Sequence, residues 1–395
     1  MITKPTNFET ETDMSENAKI TNLKFLHCSD IHLDAPFFDV TPEKSEERRR
    51  ELRSTFMRLM EFVRDKQIDY VLISGDLFDT KYATNVTLEI LIREFGNCPE
   101  TRFIIAPGRA DAYENNLIYA SERLPKNCYV FKSESLDRLY FDQDKVSIYG
   151  WGFRTAELAQ NPLYDAHVDD TTNINIVCGY ADLDGDVEST LCPISRSDLK
   201  AFGADYYALG SRHEATELTG LGGSMYSYCG SLECMGFDEP GLGGAKLLNV
   251  KYSDGELAIE GKNMTFGHIH FVNEVVDVTG VNTTSEIINR ISRMISDKKY
   301  GIETAVRCIL VGKVDPTFVI PTSLENDVFG LYCFELCDRT LPIFGTEILR
   351  RDMSMKGELF RTLLPHLESD NEEQRIVAAR ALREGLAALE NRNID

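Results

Sequence analysis

Three short stretches of the chain carry side chains able to hold a divalent cation. HCSDIHLDAPF, from His27, sets Asp30 and His32 two positions apart, and because side chains alternate along an extended chain both emerge on one side. SGDLFD, from Ser74, places Asp76 directly after a glycine that permits close backbone approach. DYYALGSRHEA, from Asp205, is an apolar run broken by a glycine and followed by Ser211, Arg212 and His213. Two carboxylates and two imidazoles form a mixed oxygen and nitrogen donor set that suits Mn, Fe or Zn. A fourth stretch, FGHIHF, offers His268 and His270 one residue apart, which reads more simply as the polar face of a strand than as a pair of ligands.

The elements that must position these residues alternate. LKFLHC, DYVLIS and RFIIA read as short apolar strands, separated by helices. The first helix is marked by Leu52, Phe56, Leu59, Met60 and Val63 on one face. Such alternation implies parallel βαβ units, whose ligand sites lie beyond the carboxyl ends of the strands. After Tyr113 strands become denser (CYVF, RLYF, KVSIYGWGF, NINIVCG, DYYALG, MYSYC, AKLLNVKY, ELAIEG), giving a second sheet that ends near Thr265. Residues 266–345 repeat strand, helix (284–296), strand and strand, a small α/β unit. In 346–395, Ile376, Ala379, Leu382 or Arg383, Leu386 and Leu389 line one face of a helix, with Ser369 or Asp370 as its cap ahead of Glu372 and Glu373. Residues 1–20 lack an apolar core and read as a disordered leader.

Composition narrows the function classes. No apolar run approaches the roughly 20 residues of a membrane helix, so no membrane role is expected. Ten cysteines occur without a C-x-x-C pair, which points to reduced thiols and the cytoplasm. The formal net charge of −22 opposes phosphate backbones, so DNA is disfavoured as a partner unless a local basic groove exists.

Asp-x-His, Gly-Asp, a Pro-Gly-x-x-Asp turn and a strand ending in Gly-x-x-His together resemble the calcineurin-like metallophosphoesterases. FLHCSDIHLDAPF, ERRRELRSTFMRLMEFV, DYVLISGDLFD and LCPISRSDLKAFGADYYALG are similar to the SbcD/YhaO-type DNA-repair exonuclease branch, over residues 23–345. The resemblance implies an α/β fold: a two-sheet metallophosphoesterase core, a β sandwich flanked by helices, in 21–265. A small α/β capping domain (266–345) and a helical C-terminal segment (346–395) follow. It implies two-metal hydrolysis of a phosphodiester. Carried over position by position, Asp30, His32, Asp76 and His213 would hold the first metal, with Asp76 as the bridge.

The second metal's positions depart from the family. Its asparagine is Arg109, its strand-end histidine is Cys178 and the first histidine of Gly-His-x-His is Ser211. The phosphate-side histidine is Ala110, which leaves the catalytic residue unassigned. An unpaired buried carboxylate is costly, so Arg109 is expected to pair with Asp76 in place of the second ion. Cys178 is either a core hydrophobe or a thiolate ligand. Arg109 and Arg212 are candidate phosphate contacts.

The expectation is therefore one bound divalent metal, Mn first with Fe or Zn as alternatives, or none. A weak or inactive phosphodiesterase would persist as a scaffold or regulatory subunit, a pseudoenzyme. The alternative is an active metal-dependent DNA exonuclease or phosphodiesterase using one metal plus Arg109. A third reading is a phosphodiesterase for a small molecule. The C-terminal helix packs on its own domain or, as in the resembled family, reaches a coiled-coil ATPase subunit. A homodimer is the other partner expected from that family.

Overall fold

In the computed structural model the described residues are 21–37, 41–186, 188–253, 256–315, 318, 320, 321, 323, 324, 328–342 and 346–389. The leader expected over residues 1–20 lies outside them. By contacts the chain divides into two compact units, Met1–Gly230 with Ala245–Met264, and Ser231–Gly244 with Thr265–Asp395.

The first unit opens with β1 (Thr21–Cys28), α1 (Pro42–Lys66), β2 (Tyr70–Ile73), α2 (Asn85–Gly96), β3 (Arg102–Ile105) and β4 (Cys128–Val130). Then come β5 (Asp137–Phe141), β6 (Val146–Gly150), β7 (Ile174–Tyr180), the two-residue strands β8 (Asp182–Leu183) and β9 (Pro193–Ile194), α3 (Arg196–Phe202) and β10 (Tyr206–Gly210). β11 (Thr219–Leu221), β12 (Ser224–Tyr228), β13 (Gly244–Ser253) and β14 (Glu256–Thr265) follow. Two six-stranded sheets result, in the orders β14-β13-β1-β2-β3-β4 and β11-β12-β10-β7-β6-β5.

The two sheets share one apolar interior. Leu23 and Phe25 of β1, Tyr70 and Leu72 of β2 and Ile104 of β3 pack with Ile148 of β6, Ile174, Ile176 and Cys178 of β7, and Tyr206 and Ala208 of β10. Phe25 stacks on Tyr70 with ring centroids 4.7 Å apart. Each such fully buried aromatic contributes on the order of 2–3 kcal/mol. β1, β2 and β3 are parallel neighbours, as are β6, β7 and β10, so their carboxyl ends line up within each sheet.

The first helix forms where its periodicity places it. Thr41 accepts from Lys44 N, and Pro42 sits in the first turn, where its missing N–H costs nothing. Leu52, Phe56, Leu59, Met60 and Val63 are all buried. On α2, Phe95 stacks on Phe103 of β3 at 4.2 Å.

The second unit holds β15 (His270–Asp277), α4 (Thr284–Lys298), β16 (Thr304–Val311), β17 (Lys313–Val314), β18 (Cys333–Asp338) and β19 (Leu341–Pro342). α5 (Thr346–Arg351), α6 (Met355–Leu367) and α7 (Glu372–Leu389) complete it. β15, β16 and β18 form a parallel sheet, with Ile287, Ile291 and Ile295 of α4 buried in the same cluster as Val306, Cys308 and Leu310. The apolar face read from the tail survives in part in α7, where Leu382 and Leu386 are buried with Phe360 of α6 while Leu389 is exposed. Its cap is different from the one expected. Asn371 Oδ1 accepts from Glu373 N and Gln374 N at 2.9 and 3.2 Å, while Ser369 Oγ lies 2.9 Å from Gln374 Oε1. No helix among the described residues is long and apolar enough to cross a membrane.

Candidate metal centre

The loops leaving β1 and β2 are joined backbone to backbone. Asp30 N donates to Gly75 O, Ile31 N and His32 N both donate to Asp76 O, and Leu33 N donates to Leu77 O, all between 2.9 and 3.1 Å. That pairing requires an unusual chain path. Asp30, His32 and Asp76 adopt φ of 48°, 50° and 52°, in the left-handed region that β-carbons disfavour. Ser211 beyond β10 has φ 107°. Strain of this kind costs about 1–3 kcal/mol per residue and concentrates where side chains must be aimed. Gly75 itself has φ 100°, which only glycine adopts freely.

Three ligand-bearing side chains converge there. One ligand atom each from Asp30, His32 and His213 lies within 4.8 Å of the others. The His32 and His213 ring centroids are 5.3 Å apart, and His213 Nε2 is 3.6 Å from Asp30 Oδ1. Asp30 and His32 are each half satisfied. Asp30 Oδ2 accepts from Ser29 Oγ and, at 3.3 Å, from Ser211 N, while its buried Oδ1 has no hydrogen-bond partner. His32 Nδ1 lies 2.8 Å from Asp79 Oδ1, while its buried Nε2 has no hydrogen-bond partner. Orphaned buried polar atoms are rare in folded proteins because each costs about 1–3 kcal/mol. One oxygen and two imidazole nitrogens fit a divalent cation of the Mn, Fe or Zn kind.

The electrostatics agree with that donor set. Burial, then the neighbouring Asp76 charge, pushes the Asp30 carboxyl up to about 6. Burial opposes charge on His32, but the Asp79 hydrogen bond and the Asp76, Asp79 and Asp30 charges outweigh it and hold the imidazole up at about 10.

Asp76, the fourth residue expected to bind, adjoins the group without joining it. Its Oδ2 is 3.8 Å from His32 Nε2, and its Oδ1 accepts from Ala110 N at 2.7 Å. Burial raises its carboxyl, while His32, the Ala110 N–H and the Tyr180 hydroxyl act in the opposite direction.

Arg109 corrects a sequence expectation. It is exposed and makes no ion pair among the described residues; the Ala110 N–H takes the place at Asp76 foreseen for it. A neutral donor serves the carboxylate without the cost of desolvating a guanidinium. Cys178 is fully buried between the sheets, its thiol held protonated by burial. Ser211 Oγ donates to Ala181 O at 2.7 Å. Arg212 Nη2 donates to Leu183 O at 2.6 Å, and its guanidinium lies over the Tyr228 ring at 4.9 Å. His268 and His270 lie in the second unit, outside this group.

Sequence reasoning missed three supporting residues. Asp79, in the SGDLFD stretch, orients His32. Asp111 closes the PGRAD turn: Oδ1 accepts from Gly108 N at 2.6 Å and Asp76 N at 3.1 Å, and Oδ2 from Leu77 N at 3.0 Å and from the Tyr119 hydroxyl. Burial and the Asp76 charge push it up to about 7. Tyr180 was hidden inside an apolar strand.

Comparison with known proteins gives the class. The Calcineurin-like phosphoesterase family matches residues 23–214, so this stretch is a calcineurin-like metallophosphoesterase domain. Its boundaries contain Asp30, His32, Asp76 and His213. The uncharacterized metallophosphoesterase YhaO of Bacillus subtilis (strain 168) is 26% identical over 311 residues, 74% of this chain and 72% of that protein. Among solved structures, TT1561 of Thermus thermophilus is 12% identical with a TM-score of 0.37, and a dimetal phosphatase from Danio rerio is 9% identical with a TM-score of 0.39. Each covers 62% of this chain and 99% of its own.

Proposed function

We propose that the chain is an SbcD/YhaO-like exonuclease-family protein whose two-metal site is reduced to one. It binds a single divalent cation, Mn first, through Asp30, His32 and His213, hydrolyses phosphodiesters weakly or not at all, and serves as a scaffold or regulatory subunit. The carrying observation is the pairing of the orphaned Asp30 Oδ1 and His32 Nε2, beside His213, with the different employment of positions 109, 178 and 211. An exposed arginine, a core thiol and a hydroxyl donating to a backbone carbonyl offer nothing to a second ion.

A bound cation would lower the pKa of a water and polarise phosphate oxygen. The chain's own residues supply the rest. Asp79 fixes the His32 ring, Ser29 and the Ser211 N–H fix Asp30, and Ala110 has no group to protonate a leaving oxygen. Lacking a second cation on the opposite oxygen, the site loses much of the electrostatic stabilisation that dominates such catalysis.

One observation favours a slow enzyme instead. Arg109 is exposed and without an ion pair among the described residues, a guanidinium available to clamp a phosphate. Purified protein assayed with Mn on single- and double-stranded DNA and on a chromogenic phosphodiester separates the two. Turnover at background, equal in the His213→Ala variant, supports the reduced site. Metal-dependent turnover lost in that variant establishes the enzyme. A coiled-coil ATPase subunit reached through the C-terminal segment is the partner this reading carries.

A further inference from the structure

Cys229 directly follows β12 and is buried, and its Sγ stands 3.1 Å from the Oγ of Ser29, also buried. The direction of this contact follows from counting protons. Ser29 Oγ has one and gives it to Asp30 Oδ2, which in the carboxylate form that binds a cation has none to return. The thiol is therefore the donor, and burial, which pushes it up to about 12, keeps it protonated at neutral pH. Ser211 N gives the same Oδ2 a second donor at 3.3 Å, while Oδ1, without a hydrogen-bond partner, lies 3.6 Å from His213 Nε2. The packing leaves these groups little freedom. A methyl group on Gly210, the last residue of β10, would stand 2.8 Å from Ser74 C and 3.0 Å from Ser29 Cβ, and one on Gly230 would stand 2.8 Å from Ala215 N and 2.9 Å from His213 O. Thr216 N donates to Tyr228 O and Tyr228 N to Thr216 Oγ1, each at 3.0 Å. The turn that carries Cys229 is thus pinned to the loop that carries His213, while its thiol reaches the residue beside Asp30.

We propose that Cys229 is a positioning residue of the metal centre: its thiol, donating through the Ser29 hydroxyl to Asp30 Oδ2, fixes the carboxylate so that Oδ1 is presented to the cation. This rests on the reading above only in taking Asp30 as a ligand. A hydrogen bond received by a hydroxyl polarises it and strengthens the bond it donates in turn. Residues that hold a metal ligand in place typically set affinity by about ten- to a hundredfold. A thiol is a weak donor, so the effect of Cys229 belongs at the lower end of that range.

The test is calorimetric titration of the full chain with Mn, on wild type, Cys229→Ala, Cys229→Ser, Ser29→Ala and the double variant Cys229→Ala with Ser29→Ala. Cys229→Ala is expected to weaken binding about tenfold at unchanged stoichiometry, and Cys229→Ser, which keeps a donor, to restore most of the loss. The double variant should bind no more weakly than Ser29→Ala, because the thiol acts only through the hydroxyl. Wild-type affinity in Cys229→Ala, an equal loss in Cys229→Ser, or additive losses in the double variant overturns the relay. Should the alanine variants fail to fold, the infrared difference spectrum of wild type minus Cys229→Ser in the S–H stretching region decides. A band moved to low frequency by donation supports the relay, and an unshifted band overturns it. The two readings fail separately: two ions in wild type overturn the one-ion reading and not the relay, whereas one ion throughout with no effect of Cys229 overturns the relay alone.

Discussion

His32 Nδ1 stands 2.8 Å from Asp79 Oδ1, leaving the buried Nε2 without a hydrogen-bond partner and 3.8 Å from Asp76 Oδ2. A carboxylate on one ring nitrogen fixes the orientation of the other and raises its basicity. Asp79→Ala should therefore weaken Mn binding about ten- to a hundredfold, with Asp79→Asn less affected. Calorimetric titration checks it. Equal affinity in Asp79→Ala and wild type would remove Asp79 from the account.

Arg109 and His213 should behave oppositely. His213→Ala removes one of three ligands and should abolish stoichiometric Mn uptake. Arg109→Ala should leave Mn affinity unchanged and shift stability by no more than about 0.5 kcal/mol, the usual range for an exposed side chain without a partner. Loss of metal from the Arg109 variant would restore the charge-replacement role that its exposure argues against.

Asp111 is a structural residue with a large load. Four donors, the N–H groups of Asp76, Leu77 and Gly108 and the Tyr119 hydroxyl, depend on its two oxygens. Asp111→Ala strands them in a buried site and should cost about 2–4 kcal/mol in chemical denaturation. Asp111→Asn retains one acceptor and should cost less. A cost below that of Asp111→Asn would show that the loops hold together without it.

His27 gives a pH signature separate from the metal. Fully buried, it bonds Tyr206 OH through Nδ1 and Ser74 Oγ through Nε2, each at 2.8 Å. Burial, aided by Lys246, lowers it from 6.5 to about 3. The folded pKa lies below the unfolded one, so this contribution is complete above about pH 6.5 and is lost as pH falls toward 3. Asp30 and Asp111, raised to about 6 and about 7, act with the opposite sign, their burial penalty being relieved as pH falls. Comparison with His27→Gln cancels them. Between pH 7 and 4 wild type should lose on the order of 2–4 kcal/mol more than the variant. Parallel stability curves would contradict this.

Much of the domain was legible because its signals are local. The face of α1 from Leu52 to Val63 follows from side-chain period, whereas Asp30 and His32 lie past the end of β1 in left-handed backbone, so it is the loop path and not strand alternation that gathers them with His213. The partner of Asp76 was not legible. Charge complementarity nominated Arg109, whereas the turn supplied the backbone N–H of Ala110, and a residue-by-residue reading does not count backbone donors. Tyr180 was missed for a related reason. It follows Ile174, Ile176 and Cys178 in an apolar run, and only the pairing of β7 beside β10 brings its ring against Gly75 and Gly108 on other loops. The cap of α7 failed on offset alone, Asn371 having outcompeted Ser369 and Asp370 by lying directly before the first turn.

The most direct test of the central claim is anomalous diffraction from crystals grown with saturating Mn, recorded on both sides of the Mn absorption edge. The account expects one peak, within bonding distance of Asp30 Oδ1, His32 Nε2 and His213, with the Ala110 N–H still on Asp76 Oδ1. Two neighbouring peaks bridged by Asp76 would contradict it.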